Sequence, residues 1–309
     1  MKIAIMGTGG TGGFFGGCLA RAGEDVTFIA RGAHLQAIRQ RGLRVESASA
    51  GHFTIYPAQA ADSPAAVGPV DLVLFCVKSW DTDSAAEAIK PMVGPQTVVI
   101  SVQNGVDSAD RIAAAIGPGH VLGGLAQIET TIAEPGLIRH TSPSLRHLVF
   151  GELDGRISER AQAILATLQK GGFPVQLTTT TLAALWSKFI FICGWSGVCA
   201  VTRLPIGPIR STPETWALVV QAMHEVEAVA RANHVPLEGS VTEAMLNRLG
   251  AFGPNTLSSM ARDLLRGNRL EVETLNGTAV RLGKQVGVPT PVNDFIYACL
   301  KPYADGVTR

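Results

Sequence analysis

Apolar runs and amphipathic stretches alternate along the first half of the chain. Two of the runs, Val70–Lys78 and Thr97–Gly105, are almost continuously apolar, which is typical of strands covered on both faces of a sheet. Segments with helical periodicity lie between the runs, at Ala33–Arg41, Thr82–Met92 and Ala109–Ile116. This alternation predicts an α/β fold with a mostly parallel, doubly wound sheet and helices on both faces.

Helical periodicity dominates the second half of the chain. Thr181–Val201 predicts one long helix, and Leu257–Val286 predicts another with a kink near Gly267. No low-complexity linker separates the two halves. We therefore expect a Rossmann-like domain over residues 1–176 and an all-helical domain over residues 177–309.

The composition is that of an ordinary globular protein. Of the 309 residues, 46% are hydrophobic and 17% are charged, and the net charge is +1. This balance, without a dense Lys/Arg run, argues against a nucleic-acid or acidic-membrane partner. The apolar run Phe189–Val201 is shorter than a bilayer span, and the N-terminus lacks the pattern of a signal peptide. Five cysteines without a CxxC pair predict reduced thiols, no metal site is expected, and the expected location is the cytoplasm.

A glycine-rich motif follows the first predicted strand and precedes the first predicted helix. Its six residues are Gly7, Thr8, Gly9, Gly10, Thr11 and Gly12. In a G-x-G-x-x-G turn the first glycine makes the tight turn, the second lets a pyrophosphate approach the backbone, and the third lets helix and strand pack closely. The N-terminus of the helix then faces the phosphates. A dinucleotide site is favoured over a purely structural turn.

The end of the second predicted strand indicates which dinucleotide binds. An acidic residue at this point contacts the ribose of NAD. Here the sequence FIARG places Arg31 at the strand end with no acid next to it. An arginine suits a 2′-phosphate through its charge and its forked donors. The sequence therefore favours NADP over NAD, and a solvated arginine at a strand end is the alternative.

A single charge interrupts the long apolar stretch of the second half. Between Gly171 and Thr202, Lys188 is the only charged residue, and its predicted helix is apolar on most faces. Burial would lower the pKa of the ammonium and suit it to proton transfer near neutral pH. A lysine that extends to solvent at a helix edge is the alternative. Glu271 and Glu273 are candidate partners of the ammonium.

Motifs along the whole chain occur together and in a fixed order. In chain order they are GTGGTG, FCVKS, VQNGVD, PGLIRH, LWSKF, SSMARD, EVETLNG and VPTPVND. With these motifs the chain resembles the ketopantoate reductases, also called 2-dehydropantoate 2-reductases. The resemblance implies an NADP-dependent oxidoreductase that reduces a 2-oxo acid, first of all 2-dehydropantoate to pantoate in pantothenate biosynthesis. The first domain would bind NADP(H) and the helical domain the substrate, and the apolar helical domain is compatible with a homodimer.

The same resemblance implies roles for single residues. Lys188, in LWSKF, matches the catalytic lysine, and Glu271 matches the acid that anchors the cofactor ribose and helps to position the site. Asn104 would lie near the nicotinamide and the substrate, and Ser259 matches a substrate-binding serine. Lys78 follows a strand at the edge where open α/β sheets bind ligands. The predicted cofactor-binding residues outside the glycine motif are Arg31, Lys78, Asn104 and Glu271.

Three positions depart from the pattern of the family. Ile192, Ser196 and Ile206 stand where family members carry asparagines that hold substrate oxygens. Ser196 is kept as a predicted substrate-binding residue, together with Asn104 and Lys188. Isoleucines in place of two amides predict a more apolar pocket, which would bind a polyhydroxylated substrate poorly. Whether Ile192 and Ile206 face the pocket or the core stays open in the sequence. A family member re-specified for a more apolar 2-oxo acid is therefore an alternative.

Two other classes of function stay open. One is a dehydrogenase of the 3-hydroxyacid type, which also joins a nucleotide domain to a helical one, although the SSM and ETLNG segments argue against it. The other is a non-catalytic NADP-binding sensor, against which the retained Lys188 and Glu271 argue. The mechanism expected for a reductase is hydride transfer to the C2 carbonyl carbon. Lys188, as the ammonium, would polarise the carbonyl oxygen and protonate the developing alkoxide.

Overall fold

The computed structural model describes residues 1–306, and the chain forms two compact units. The first unit comprises Met1–Gln103 and Asp107–Thr181, and the second comprises Asn104–Val106 and the chain from Leu182 onward. Both β-sheets belong to the first unit, and helices follow in the second. The predicted α/β class, with a Rossmann-like N-terminal part and a helical C-terminal part, is confirmed. The domain limits given above stay a prediction, because compactness alone does not define a domain.

The first unit is built on an eight-stranded sheet and a four-stranded sheet. The strands are β1 (Lys2–Met6), β2 (Asp25–Ile29), β3 (Leu43–Ser47), β4 (Gly51–Ile55), β5 (Gln59–Ala61), β6 (Val70–Phe75), β7 (Val93–Ser101), β8 (Val121–Ile128), β9 (Thr130–Glu134), β10 (Leu137–His140), β11 (Arg146–Gly151) and β12 (Val175–Leu177). The large sheet has the order β12-β11-β8-β7-β6-β1-β2-β5 and is parallel except between β11 and β8. Because β1 lies between β2 and β6, the strand order reverses beside it, and such a switch point is where open α/β sheets bind ligands.

Alternate residues of β1 show that the large sheet is covered on both faces. Ile3 and Ile5 belong to one buried cluster, while Ala4 and Met6 belong to another. The helices of this unit are α1 (Gly10–Arg21), α2 (Gly32–Arg41), α3 (Thr82–Ala88), α4 (Ser108–Ile116) and α5 (Glu159–Gln169). A strand buried on both sides has no polar face, which explains why apolar runs without alternation marked these strands.

The small sheet was not predicted. Its order is β4-β3-β10-β9, with β3 parallel to β10 and the other pairs antiparallel. Only one face of β3 is buried, by Leu43, Val45 and Ser47, so no continuous apolar run marks it. Between β3 and β10, Nδ1 of His140 lies 2.8 Å from the hydroxyl of Ser47, and this hydrogen bond is buried. Because polar residues occupy buried positions of these short strands, the pattern of apolar residues in the sequence does not indicate the sheet.

The second unit consists of helices around one core. They are α6 (Thr181–Phe191), α7 (Gly197–Thr202), α8 (Ile206–Ser211), α9 (Pro213–Ala232), α10 (Val241–Gly250), α11 (Ser259–Leu265), α12 (Thr278–Val286) and α13 (Pro291–Leu300). The helices include two π-helical turns. The first, Ile192–Ser196, joins α6 to α7, and the second, Glu273–Gly277, leads into α12. The helix predicted over Thr181–Val201 is present and reaches Thr202, but its middle is widened by the first π turn.

The continuous helix predicted over Leu257–Val286 is wrong. Helix α11 ends at Leu265, and the chain leaves helical structure before the second π turn. Gly267, with φ at +70°, terminates this helix instead of kinking it. A left-handed glycine after a helix end is a common stop, because other residues adopt that conformation at a cost.

The segment Thr181–Thr202 forms one helical run of 22 residues that is long and apolar enough to cross a membrane. It is longer than the apolar run seen in the sequence because helix continues through less apolar residues at its start. Most of it is buried within the protein, where Phe189, Ile190 and Cys193 belong to the core of the second unit. A core helix of a soluble protein has the same length and composition.

Candidate functional site

The glycine motif forms a tight turn between β1 and α1. Gly7 has φ at +94°, and a Cβ atom there would lie 2.8 Å from the backbone nitrogen of Val77. The backbone N–H of Thr8 donates to the carbonyl of Ile29 at 2.9 Å, which ties the turn to the end of β2. A Cβ at Gly12 would collide with the carbonyl oxygen of Gly7. The first and third glycines of the motif are therefore required by the packing of the turn.

The second glycine of the motif has a different environment. A Cβ built at Gly9 would meet no atom within 4 Å among residues 1–306, and Gly9 is the N-cap of α1. The first turn of α1 carries no acidic side chain. Open space beside glycine at a helix N-terminus fits a phosphate group, which the backbone N–H groups and the helix dipole can bind. Open space at Gly9 and a first turn without an acidic side chain are thus compatible with a pyrophosphate at this loop.

Two exposed cations follow the strands that flank β1. Arg31 is the N-cap of α2 just after β2, and Lys78 follows β6. The ammonium of Lys78 lies 5.6 Å from the centre of the Trp80 ring, within the range of a cation–π contact. Because β2, β1 and β6 are parallel neighbours, both cations lie at the sheet edge that carries the glycine turn. Their roles in binding a cofactor stay predictions.

His34 lies beside this turn and was not predicted from the sequence. The N–H of Gly136, between β9 and β10, donates to Nδ1 of His34 at 3.0 Å, so this nitrogen is an acceptor. Burial lowers the pKa of His34, an effect partly offset by the backbone of Thr8. The neutral ring therefore links α2, the small sheet and the glycine turn. A lone histidine on an amphipathic helix gives no sequence signal for such a contact.

In the second unit, Lys188 is the centre of a charged cluster. The side chain is half-buried on α6, and burial lowers its pKa to about 8. The charge of Glu271 raises this pKa, and the charge of Arg248 lowers it. Of the two sequence interpretations, the structure therefore favours a desolvated lysine over a solvated one. Near neutral pH its ammonium can donate a proton.

Glu271 connects Lys188 to Asn104. Nδ2 of Asn104 donates to Oε2 of Glu271 at 3.2 Å, and Glu271 is 9% exposed. Asn104 follows β7 along the chain but belongs to the second unit. The structure thus brings together three of the predicted site residues from distant segments. Their catalytic and binding roles stay predictions.

A buried asparagine joins the two π turns. Nδ2 of Asn276 donates to the carbonyl of Cys193 at 3.1 Å and to Oδ1 of Asn293 at 2.9 Å. Asn293 in turn donates to Oε2 of Glu225 at 2.7 Å. Asn276 and Asn293 are fully buried, so these bonds fix the segment after Lys188 relative to the one that carries Glu271. Asn276 lies in the ETLNG motif and Asn293 in the VPTPVND motif. Polar residues inside apolar helices could have indicated these contacts from the sequence.

The residues that depart from the family pattern lie in different surroundings. Ile206 is completely buried in the core of the second unit, so for this residue the structure favours the core over a pocket. Ile192, one turn after Lys188, is half-buried. Ser196 is 1% exposed, and its hydroxyl has no hydrogen-bond partner among residues 1–306. Ser259 is exposed at the start of α11, whose N-cap is Ser258.

Comparisons with known proteins agree with this organisation. The family model described as "Ketopantoate reductase PanE/ApbA" matches residues 3–155, and the model of its C-terminal domain matches residues 181–304. The chain is similar to an oxidoreductase, YkpB, of Bacillus subtilis (strain 168), with 30% identity over 303 residues, covering 98% of this chain and 99% of the relative. A 2-dehydropantoate 2-reductase of Pyrococcus horikoshii is 29% identical over 301 residues, covering 97% of each chain.

A solved structure shows the same fold. The crystal structure of a PanE/ApbA family ketopantoate reductase from Ralstonia eutropha JMP134 matches with a TM-score of 0.90. The two chains are 38% identical, and the match covers 98% of each. Similarity in sequence and in structure therefore spans both units.

Proposed function

The chain belongs to the ketopantoate reductase PanE/ApbA family, and on this premise we propose that it reduces a 2-oxo acid to the 2-hydroxy acid with NADPH. 2-Dehydropantoate, after which many relatives are named, is the first candidate substrate. The observation that carries the proposal is the cluster of Lys188, Glu271 and Asn104. It combines a proton donor with a pKa of about 8, a buried carboxylate and an amide.

The glycine turn supports a dinucleotide as cofactor. Gly9 leaves open space at the N-terminus of α1, and Arg31 and Lys78 supply positive charge at the same sheet edge. An arginine at the end of β2, without an adjacent acid, favours the 2′-phosphate of NADP over the free ribose of NAD. When bound, NADPH supplies the hydride for the carbonyl carbon of the substrate.

The residues of the second unit supply the proton. The Lys188 ammonium donates a hydrogen bond to the carbonyl oxygen of the oxo acid, which makes the carbonyl carbon more electrophilic. As the carbon accepts the hydride, the oxygen gains negative charge and takes the proton of the ammonium, which gives the alcohol and a neutral amine. Glu271 stabilises the ammonium before transfer, and Asn104 holds Glu271 in place.

The test measures NADPH oxidation with 2-dehydropantoate by the wild type and by Lys188→Ala. We expect turnover by the wild type and a loss of about a hundredfold or more in kcat for the variant, with NADPH affinity unchanged. Unchanged turnover in Lys188→Ala would overturn the role of the lysine. Tight NADPH binding without turnover of any oxo acid would support a non-catalytic sensor. A cytoplasmic location and a homodimer are part of the proposal and are tested by fractionation and by light scattering.

A further inference from the structure

An aromatic cluster continues the helix face that carries Lys188. Phe191 lies three residues after the lysine, and Trp195 lies within the π turn that follows. The rings of Phe191 and Trp195 are 5.7 Å apart between centroids, and Phe252 contacts both, at 5.8 and 5.5 Å. We call these three residues the ring cluster. Residues three apart on a helix lie on one side, so Phe191 of the ring cluster lies on the same side of α6 as Lys188.

The ring cluster lies at the margin of the core. Phe191 and Trp195 are each 8% exposed and Phe252 is half-buried, whereas Phe189 on the same helix is 1% exposed. Ile192, where the resemblance implies an amide, is a half-buried apolar residue packed against the same core. Apolar and aromatic surface next to a proton donor suits a substrate whose side group is apolar.

A second cation lies against the ring cluster. The guanidinium of Arg248, on α10, is 5.4 Å from the centre of the Phe191 ring. Arg248 is half-buried, and its charge is close enough to Lys188 to lower the pKa of the lysine. A carboxylate bound next to both side chains would be attracted by both positive charges. A 2-oxo acid carries a carboxylate adjacent to its carbonyl group, so one molecule can meet both cations.

The helix that carries Arg248 is fixed at both ends. At its start, the buried Glu227 carboxylate accepts hydrogen bonds from the backbone N–H groups of Thr242 at 2.7 Å and Val241 at 3.3 Å. At its end, the guanidinium of Arg210 donates to the carbonyl of Gly250 at 2.9 Å. A binding group on a rigid helix loses little entropy when a ligand arrives.

We propose that Arg248 binds the carboxylate of the 2-oxo acid, and that the ring cluster contacts its side group. The substrate class is then 2-oxo acids with a bulky, apolar and preferably aromatic side group. This inference rests on the proposed reductase function and replaces 2-dehydropantoate by an apolar 2-oxo acid as the preferred substrate. The guanidinium fork matches a carboxylate in a bidentate geometry that a lysine cannot reproduce.

The first test compares phenylglyoxylate, pyruvate and 2-dehydropantoate as substrates and measures phenylglyoxylate binding by calorimetry, with and without NADP⁺. We expect the largest kcat/KM for phenylglyoxylate in the wild type. Arg248→Gln is expected to weaken phenylglyoxylate binding and raise its KM by about tenfold to a hundredfold, while NADPH affinity stays unchanged. The phenylglyoxylate affinity of Arg248→Lys is expected to lie between that of the wild type and that of Arg248→Gln. Arg266→Gln removes an exposed arginine of the same unit and is the matched control.

The second test addresses the ring cluster. Phe252→Leu keeps apolar volume and is expected to reduce the preference for phenylglyoxylate over pyruvate by about three- to tenfold. Phe295→Leu changes a phenylalanine that is 53% exposed on α13 and should leave the preference unchanged. The ratio of two substrates is measured on one variant, so a general loss of folded protein does not alter it.

Two results would overturn the inference. One is unchanged phenylglyoxylate affinity in Arg248→Gln, and the other is a larger kcat/KM for 2-dehydropantoate than for phenylglyoxylate in the wild type. Failure of the underlying function gives a different pattern, in which the wild type reduces none of the three acids or Lys188→Ala retains full turnover. The calorimetric measurement needs no turnover and therefore decides the role of Arg248 in either case.

Discussion

The amide of Asn104 and the carboxylate of Glu271, 167 residues apart in the chain, share a hydrogen bond of 3.2 Å. The bond fixes the direction of the carboxylate whose charge raises the pKa of Lys188. The charge of Arg248 lowers the same pKa. The pKa of Lys188, and with it the pH range of the proposed reaction, is therefore set by burial together with these two side chains.

The rate should depend on pH through Lys188. Its pKa is lowered to about 8, and the ammonium is the form that donates the proton, so kcat/KM is expected to decline as pH rises through about 8. Glu271→Gln removes a charge that raises this pKa and should move the decline to lower pH. Arg248→Gln removes a charge that lowers it and should move the decline to higher pH. The profile is measured by NADPH oxidation from acidic to alkaline pH.

Movement of the two profiles in the same direction would contradict this account. A parallel titration of NADPH affinity over the same pH range separates the lysine from groups that bind the cofactor.

The two glycines of the turn should respond differently to substitution. Gly9→Asp meets open space and is expected to leave Tm unchanged, but its charge next to the phosphates should weaken NADPH binding by at least about a hundredfold. Gly12→Ala places a Cβ against the carbonyl of Gly7 and is expected to lower the free energy of unfolding by about 1–3 kcal/mol. Thermal unfolding and NADPH titration distinguish the two effects.

Wild-type NADPH affinity in folded Gly9→Asp would show that the cofactor binds elsewhere. Gly9→Ala is the neutral control, because it adds the Cβ without the charge.

Cofactor preference should depend on Arg31. Arg31→Gln is expected to weaken NADPH binding by about tenfold to a hundredfold and to leave NADH binding nearly unchanged, because only NADPH carries the 2′-phosphate. Arg41→Gln makes the same charge change at the other end of α2 and should alter neither affinity. Fluorescence titration with both nucleotides measures the ratio. A ratio unchanged in Arg31→Gln would favour the solvated-arginine interpretation.

Stability should depend on the asparagine between the π turns. Asn276→Leu leaves the buried carbonyl of Cys193 and Oδ1 of Asn293 without their donor, and the free energy of unfolding is expected to fall by about 1–3 kcal/mol. Asn268→Leu changes an exposed asparagine of the same unit and should stay within about 0.5 kcal/mol of the wild type. Denaturant unfolding measures both. Equal stability of the two variants would mean that the network adds no net stability.

The large sheet and its nucleotide loop could be predicted from the sequence, because apolar patterning and a local motif specify them. The residues of β1 are apolar on both faces, and the glycine turn follows directly, so the sheet and its nucleotide loop could be inferred together. Lys188 stood out because its charge interrupts an apolar stretch.

The sequence did not reveal contacts between distant segments. The charge of Arg248 affects Lys188 because the fold places this guanidinium against Phe191 of α6, and nothing in the local sequence of Arg248 indicates this. Ile206 and Ile192 look alike in the sequence, yet the first is buried in the core and the second is half-exposed. The small sheet was missed for a related reason, since its interior includes Ser47 and His140, which local periodicity scores as polar.

The π turns also have a consequence for chain length. In the turn Glu273–Gly277, the N–H of Gly277 donates to the carbonyl of Val272 at 2.9 Å, five residues back instead of four. Each such turn accommodates one residue more than an α-helix would. Deleting one residue from Ile192–Ser196 would therefore turn it into an α-helical turn and leave the flanking helices α6 and α7 in phase. Deleting one residue of α6 between Lys188 and this turn would instead rotate Lys188 by about 100° relative to α7, because no extra residue is present there. The cost of a deletion in the π turn is thus confined to the turn itself, where the carbonyl of Cys193 accepts its hydrogen bond from Asn276.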